Sequence, residues 1–382
     1  MVMIKKKWLV FSTGLALFSM FFGSGNLVFP IAVGQESDGH YILAALGIIL
    51  TGVVVPFLGV YGMMLYKGDF NDFFSCFGKR GIFIFSLLSL AILGPFGGIA
   101  RCLTVCHGAI QLLFWDTTLP MVSFIMCMTI FLCTLNKKKI IEILGNILTP
   151  LLLLSISLIA YYGLKRESML IGIEFKGWTA LKNGFLQGYQ MMDLLAAFFF
   201  SSFIMKYLQN ASAEHENGFQ MRLFLKASII GACLLSIVYF SLSLLGWNDS
   251  LMLENIPPQD MLAAIAMESL GTMAAPTVCL AVLFACLSTT VVISSLFADF
   301  LREEVFSNRI NNVTSLIATL AIAFCVSILD FEGIAMFLGP VLAATYPALI
   351  MLTVVNIALK IYGLRSTHWP FTLTLAAKVC FI

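Results

Sequence analysis

The chain has 382 residues, of which 60% are hydrophobic and 11% charged, with a formal net charge of +2 and a mean hydropathy of +0.98. A soluble domain carries about 25% charged residues, so a water-facing surface of ordinary extent is excluded and a lipid bilayer is the expected surrounding. The scattered Lys and Arg form no stripe for nucleic acid, so no nucleic-acid partner is expected.

Apolar runs of about 20 residues recur along the chain and read as membrane-spanning helices. Lys5, Lys6 and Lys7 precede the first, over 8–33, which is too long for a signal-peptide core and continues past Gly23-Ser24-Gly25, so no cleavage is expected. Two glycines, a serine and Asn26 sit near its middle, before Pro30. A break there frees main-chain carbonyls at membrane depth, tolerable only where they line a cavity or coordinate something. Close helix packing through small residues is the alternative, although Asn26 adds nothing to it.

The second span covers 41–65 and the third 82–114. The third carries Gly94-Pro95, which implies a kink, and Arg101, costly at mid-span unless paired or hydrated. Cys102, Cys106 and His107 resemble metal spacing, yet no second cluster completes a transition-metal site. Spans four and five follow at 118–135 and 143–164, and the sixth at 181–206. The sixth reads Gly184-Phe-Leu-Gln-Gly188-Tyr189-Gln190-Met-Met-Asp193, again polar and glycine-bearing. Asp193 costs about 3 kcal/mol to insert, so it faces a cavity or a partner; an ion pair with Arg101 is compatible with either.

Spans seven to ten cover 223–246, 271–299, 310–329 and 333–359. The eighth holds Cys286-Leu-Ser288-Thr289-Thr290, whose hydroxyls suit a hard cation but also serve to bond their own helix. A last run from Phe371 to Ile382 is too short to cross, so the chain ends inside an eleventh span. Placing the N-terminus in the cytoplasm puts sixteen basic residues in inside segments against four outside, as the positive-inside rule requires of an inner-membrane protein. Alternation makes spans one and six enter from opposite sides, so two sets of five, if repeats, are inverted; the topology permits the repeat, and the interrupted helix that opens each set recommends it. Paired interruptions of this kind point to the central site of a transporter. Four histidines without paired metal spacing, and hydroxyls without a nearby base, argue against an enzyme.

The run Gly14 to Pro30 resembles the first-helix signature of bacterial branched-chain amino acid:cation symporters. Gly188 to Ala197, Ala285 to Thr290, and Gly94-Pro95 with Arg101 resemble further motifs of that family, in order along nearly the whole chain. The resemblance implies an all-α membrane protein with the leucine-transporter-type 5+5 inverted repeat, helices one and six broken, and a partial eleventh helix. The first repeat is 1–164 and the second 165–359, with a cytoplasmic loop and incomplete helix over 360–382. It implies sodium-coupled uptake of leucine, isoleucine and valine, without a cofactor. Sodium ligands carried over by position are the carbonyls of Ser19, Phe22 and Cys286 and the hydroxyls of Thr289 and Thr290. Substrate would lie against Gly23, Ser24, Gly25 and Asn26 on one side and Tyr189, Gln190 and Asp193 on the other, with Arg101 structural or gating. Ala100 stands where the family has proline, which puts the geometry of the third helix in question, and the family has twelve helices. Alternatives are another amino acid, proton coupling through Asp193, or a transport-inactive sensor.

Overall fold

The computed structural model describes residues 2–114, 116–135, 144–165, 177–211, 217–364 and 371–375. In chain order the main helices are α1 (Val2–Phe21), α2 (Ser24–Gln35), α3 (Tyr41–Leu65), α4 (Gly78–Leu93), α5 (Gly98–Gln111), α6 (Leu119–Thr134) and α7 (Thr149–Gly163). They continue as α8 (Gly177–Gln190), α9 (Asp193–Ala211), α10 (Asn217–Asn248), α11 (Met261–Leu270), α12 (Ala274–Phe300), α13 (Asn312–Ser327) and α14 (Asp330–Ile361). Each of the ten expected spans has a counterpart. The first is α1 with α2, bent by 71°, and the sixth is α8 with α9, bent by 44°. Of the eleventh span, 371–375 is helical, and the rest lies outside the described residues.

Apolar side chains face outward as well as inward, as a bilayer allows. Helix α6 exposes Phe124 and Leu132 while burying Ser123 and Thr134. Ser123 accepts a hydrogen bond from Ser327 of α13 at 3.2 Å, and Thr134 lies 3.5 Å from Ser294 of α12. Exposed apolar side chains cost nothing against lipid tails, whereas buried hydroxyls need partners.

The broken spans lie at the centre. Helix α10 packs along both α1 and α2, and α8 packs on α3. The latter approach depends on missing side chains: a Cβ on Gly184 would overlap the Ala44 carbonyl, and one on Gly188 would overlap the Thr51 hydroxyl. These glycines therefore serve packing. The sixth span breaks later, at Met191-Met192, where Met192 takes a left-handed φ of 63°. Such a conformation costs a non-glycine residue about 1 kcal/mol or more and persists only where surrounding contacts impose it. The third span is interrupted, not merely kinked: α4 ends at Leu93 and α5 begins at Gly98. Ala100 sits buried in the first turn of α5, so the absence of proline leaves that helix start intact.

Candidate functional site

The break between α1 and α2 falls at Phe22-Gly23. Gly23 is the N-cap of α2, and its N–H donates to the side-chain oxygen of Asn26 at 3.1 Å. The other end of the same amide reaches the second break: Asn26 Nδ2 donates to Asp193 Oδ2 at 2.8 Å. Tyr239 of α10 completes the group, donating to the same carboxylate oxygen at 3.1 Å and accepting from Asn26. Asn26, Asp193 and Tyr239 are 2%, 3% and 0% exposed. Asp193 also opens α9, where the positive end of the helix dipole favours an anion.

Arg101, 1% exposed, approaches from α5. Its Nη1 donates to the main-chain oxygen of Gln190 at 2.7 Å and its Nη2 to the side-chain oxygen of Gln190 at 3.1 Å. Gln190 ends α8, so the guanidinium caps the negative end of that half-helix. The rings of Phe29 and Phe331 both have centroids 5.7 Å from the guanidinium carbon. Arg101 and Asp193 form no ion pair; each meets the second break from its own side.

One cavity of about 30 Å³ is lined by Gly23, Ser24, Gly25, Asn26, Arg101, Gln190 and Asp193, together with Met20, Phe21, Leu93, Met191, Phe200, Thr289 and Ile293. Six of the seven expected substrate residues thus line a single space. Tyr189 does not: its ring turns to Tyr346 of α14, centroid to centroid 5.0 Å, because it lies a helical step of about 100° away from Gln190.

Beside this cavity, helix α12 faces the C-terminal end of α1. Ser288 donates to the Ser19 carbonyl at 2.8 Å and the Ala285 carbonyl at 2.9 Å. Thr289 donates to the Met20 carbonyl at 3.1 Å and the Ser19 carbonyl at 3.4 Å. Ser19 Oγ is buried here without a partner, and Phe22 lies in the adjoining break. A Cβ on Gly23 would stand 3.2 Å from Thr289 Oγ1, so α12 touches the break directly. The expected ligand pair Cys286 and Thr290 lies on another face. Thr290 donates to the Cys286 carbonyl at 2.7 Å, and the Thr290 carbonyl accepts from Ser294 at 2.5 Å. The face toward α1 is one residue earlier: Ala285, Ser288 and Thr289.

Sequence reasoning missed Ser288 as a site residue, although it stood within the quoted hydroxyl cluster. It also missed Tyr239, Phe29 and Phe331. A tyrosine within an apolar span was a usable signal, since its hydroxyl needs a polar partner. Among the described residues no three His, Cys, Asp or Glu side chains gather as a metal-binding group. Cys102 donates to the Ser24 hydroxyl at 3.4 Å, while the His107 ring turns to the Thr117 carbonyl at 3.1 Å.

Two spans broken beside a buried cavity, in an all-helical membrane bundle, define the leucine-transporter-type fold. Solved structures agree. The chain is similar to Mhp1 in an inward-facing conformation, with a TM-score of 0.63 at 16% identity, covering 92% of this chain and 76% of that one. It is similar also to a Na+-coupled sialic acid symporter, with a TM-score of 0.60 at 13% identity, covering 97% and 88%. The chain belongs to the branched-chain amino acid transport protein family, whose model matches residues 6–382. The branched-chain amino acid permease BrnQ of Bacillus subtilis (strain 168) is 31% identical over 368 residues, 91% of this chain and 81% of the relative. The permease BraB of the same organism is 28% identical over 373 residues, 92% and 80% of the two chains. The family consists of transport proteins, so the chain is a multi-pass membrane transporter and not an enzyme.

Proposed function

We propose that this protein carries leucine, isoleucine and valine into the cell together with sodium, by alternating access. The observation that carries the sodium reading is the oxygen cluster at the end of α1. The carbonyls of Ser19, Met20 and Ala285 and the hydroxyls of Ser288 and Thr289 meet there, at the helix end that Phe22 follows in the break. The last carbonyls of a helix lack intrahelical donors and sit at the negative end of its dipole. The two hydroxyls bond them in the structure. Each hydroxyl also has acceptor lone pairs, so by rotating it joins the carbonyls as a ligand when a cation enters.

Coupling follows from position. Thr289 touches Gly23, and the next residues, Ser24 to Asn26, line the substrate cavity. An ion that draws α12 and the end of α1 together fixes the break against which the substrate lies, and the substrate reciprocally favours the ion. The apolar lining selects a side chain by shape. One methylene there is worth about 1–3 kcal/mol, so discrimination among the three amino acids is loose. At about 30 Å³ the cavity holds a water or two, so the bundle must open to admit substrate. In this reading the two inverted repeats are 1–164 and 165–359, and 360–382 begins the helix that follows. The N-terminus faces the cytoplasm of an inner membrane.

Proton coupling is the second reading. It is favoured by Asp193, a buried carboxylate held by Asn26 and Tyr239 without a basic partner among the described residues. Leucine uptake into proteoliposomes separates the two. Stimulation by an inward sodium gradient, lost in Thr289→Ala, is the expected result. Uptake indifferent to sodium but driven by a pH gradient and abolished in Asp193→Asn replaces sodium with the proton.

A further inference from the structure

The cavity between the two breaks is lined by one buried cation and one buried anion that do not neutralise each other. Charged side chains at membrane depth ordinarily pair or mark a ligand pathway. Arg101 has five N–H donors, and hydrogen bonds to Gln190 engage two nitrogens, Nη1 and Nη2. Its Nε is buried with no partner among the described residues. Asp193 takes both its side-chain bonds on Oδ2 and leaves Oδ1 without a donor among the described residues. A solute without formal charges neutralises neither group. An α-amino acid zwitterion satisfies both, because it carries a carboxylate and an ammonium on adjacent atoms.

We propose that Arg101 binds the carboxylate of the transported amino acid and Asp193 its ammonium, so that the substrate supplies the ion pair the cavity lacks. This inference rests on the branched-chain amino acid reading and assigns Arg101, expected from sequence to be structural or gating, to recognition. The surroundings agree with the polarity. Ser24 and Gly25 in the first turn of α2 line the cavity, and the N–H groups of a first turn lack intrahelical acceptors and favour an anion. Asn26 and Tyr239 hold Asp193 from behind through Oδ2, keeping the other oxygen for a donor. Gln190 and the rings of Phe29 and Phe331 hold the guanidinium in place. The apolar lining of Phe21, Leu93, Phe200 and Ile293 then receives the side chain.

The test is competition against radiolabelled leucine on the purified full chain, with two analogues that each lose one charge. Leucinamide keeps the ammonium without the carboxylate, and 4-methylpentanoate keeps the carboxylate without the ammonium. Wild type is expected to bind each about tenfold to a hundredfold more weakly than leucine, the range for removing one hydrogen-bonded charge. Arg101→Gln should narrow the gap between leucine and leucinamide and leave that to 4-methylpentanoate. Asp193→Asn should do the reverse. A variant that narrows both gaps equally acts through the fold, and that result overturns the assignment. Wild type alone also decides: if leucinamide or 4-methylpentanoate competes as well as leucine, the assignment is wrong even where a variant fails to fold. Wild type that binds none of leucine, isoleucine and valine overturns the substrate reading as well.

Discussion

Successive residues of a helix are turned by about 100°, so neighbouring hydroxyls on α12 cannot all face the same partner. Ser288 and Thr289 meet the carbonyls of Ser19 and Met20, whereas Thr290 bonds the Cys286 carbonyl within its own helix. Ser288→Ala, Thr289→Val and Thr290→Val therefore separate the two faces. Each change removes one neutral hydrogen bond, worth about 1 kcal/mol of stability, and all three variants should fold. Removing an oxygen from a cation costs more, about 1.5–3 kcal/mol by analogy with hydrogen bonds to charged groups. At about 1.4 kcal/mol per tenfold, the sodium concentration for half-maximal uptake should rise about tenfold to 150-fold in Ser288→Ala and Thr289→Val. In Thr290→Val it should stay within about twofold of wild type. The assay is initial leucine uptake into proteoliposomes against external sodium at saturating leucine. A Thr290→Val shift as large as that of Thr289→Val, with Ser288→Ala unaffected, refutes this face of α12 and restores Cys286 and Thr290.

Four further outcomes follow from contacts elsewhere. Tyr239→Phe removes the phenol that donates to Asp193 and accepts from Asn26, and should lower leucine uptake about tenfold or more while the protein stays folded, read by uptake beside thermal unfolding in detergent. Gly188→Ala drives a methyl into Thr51 and should destabilise the α3–α8 contact by about 1–3 kcal/mol, seen as a lower unfolding temperature. Asn356→Ala removes a buried donor 2.9 Å from the Phe73 carbonyl and should cost about 1–3 kcal/mol of stability. The nearby exposed pair Lys360–Asp72, at 3.3 Å, should contribute under about 1 kcal/mol when Asp72→Asn is measured in the same assay.

The spans were legible because each needs a long apolar run, and the breaks because Gly23 to Asn26 and Gln190 to Asp193 place polar groups where lipid tolerates none. What the pattern could not resolve was phase. Gly184 and Gly188 suggested the interruption in the sixth span, yet they admit a neighbouring helix, and the left-handed residue is Met192. A methionine bears no mark of an unusual backbone; the surrounding tertiary contacts hold it there. The hydroxyl run on the eighth span did not show which residues turn toward α1, since three adjacent hydroxyls look alike in one dimension. The partners of Tyr239 were hidden for a related reason: they lie 213 and 46 residues away.

The two half-helices whose carbonyl ends meet the core are finished differently. Arg101 terminates α8 with a charge that is covalently part of the chain, while Ser288 and Thr289 terminate α1 with neutral hydroxyls. Under sodium coupling, only the second end exchanges its cation with solution, which sets one ion per cycle at these positions. Under that coupling a zwitterionic substrate adds no net charge, so each ion carried at these positions moves one positive charge inward. Uptake is then electrogenic, and a voltage negative inside drives it by about 2.3 kcal/mol per 100 mV even with no sodium gradient.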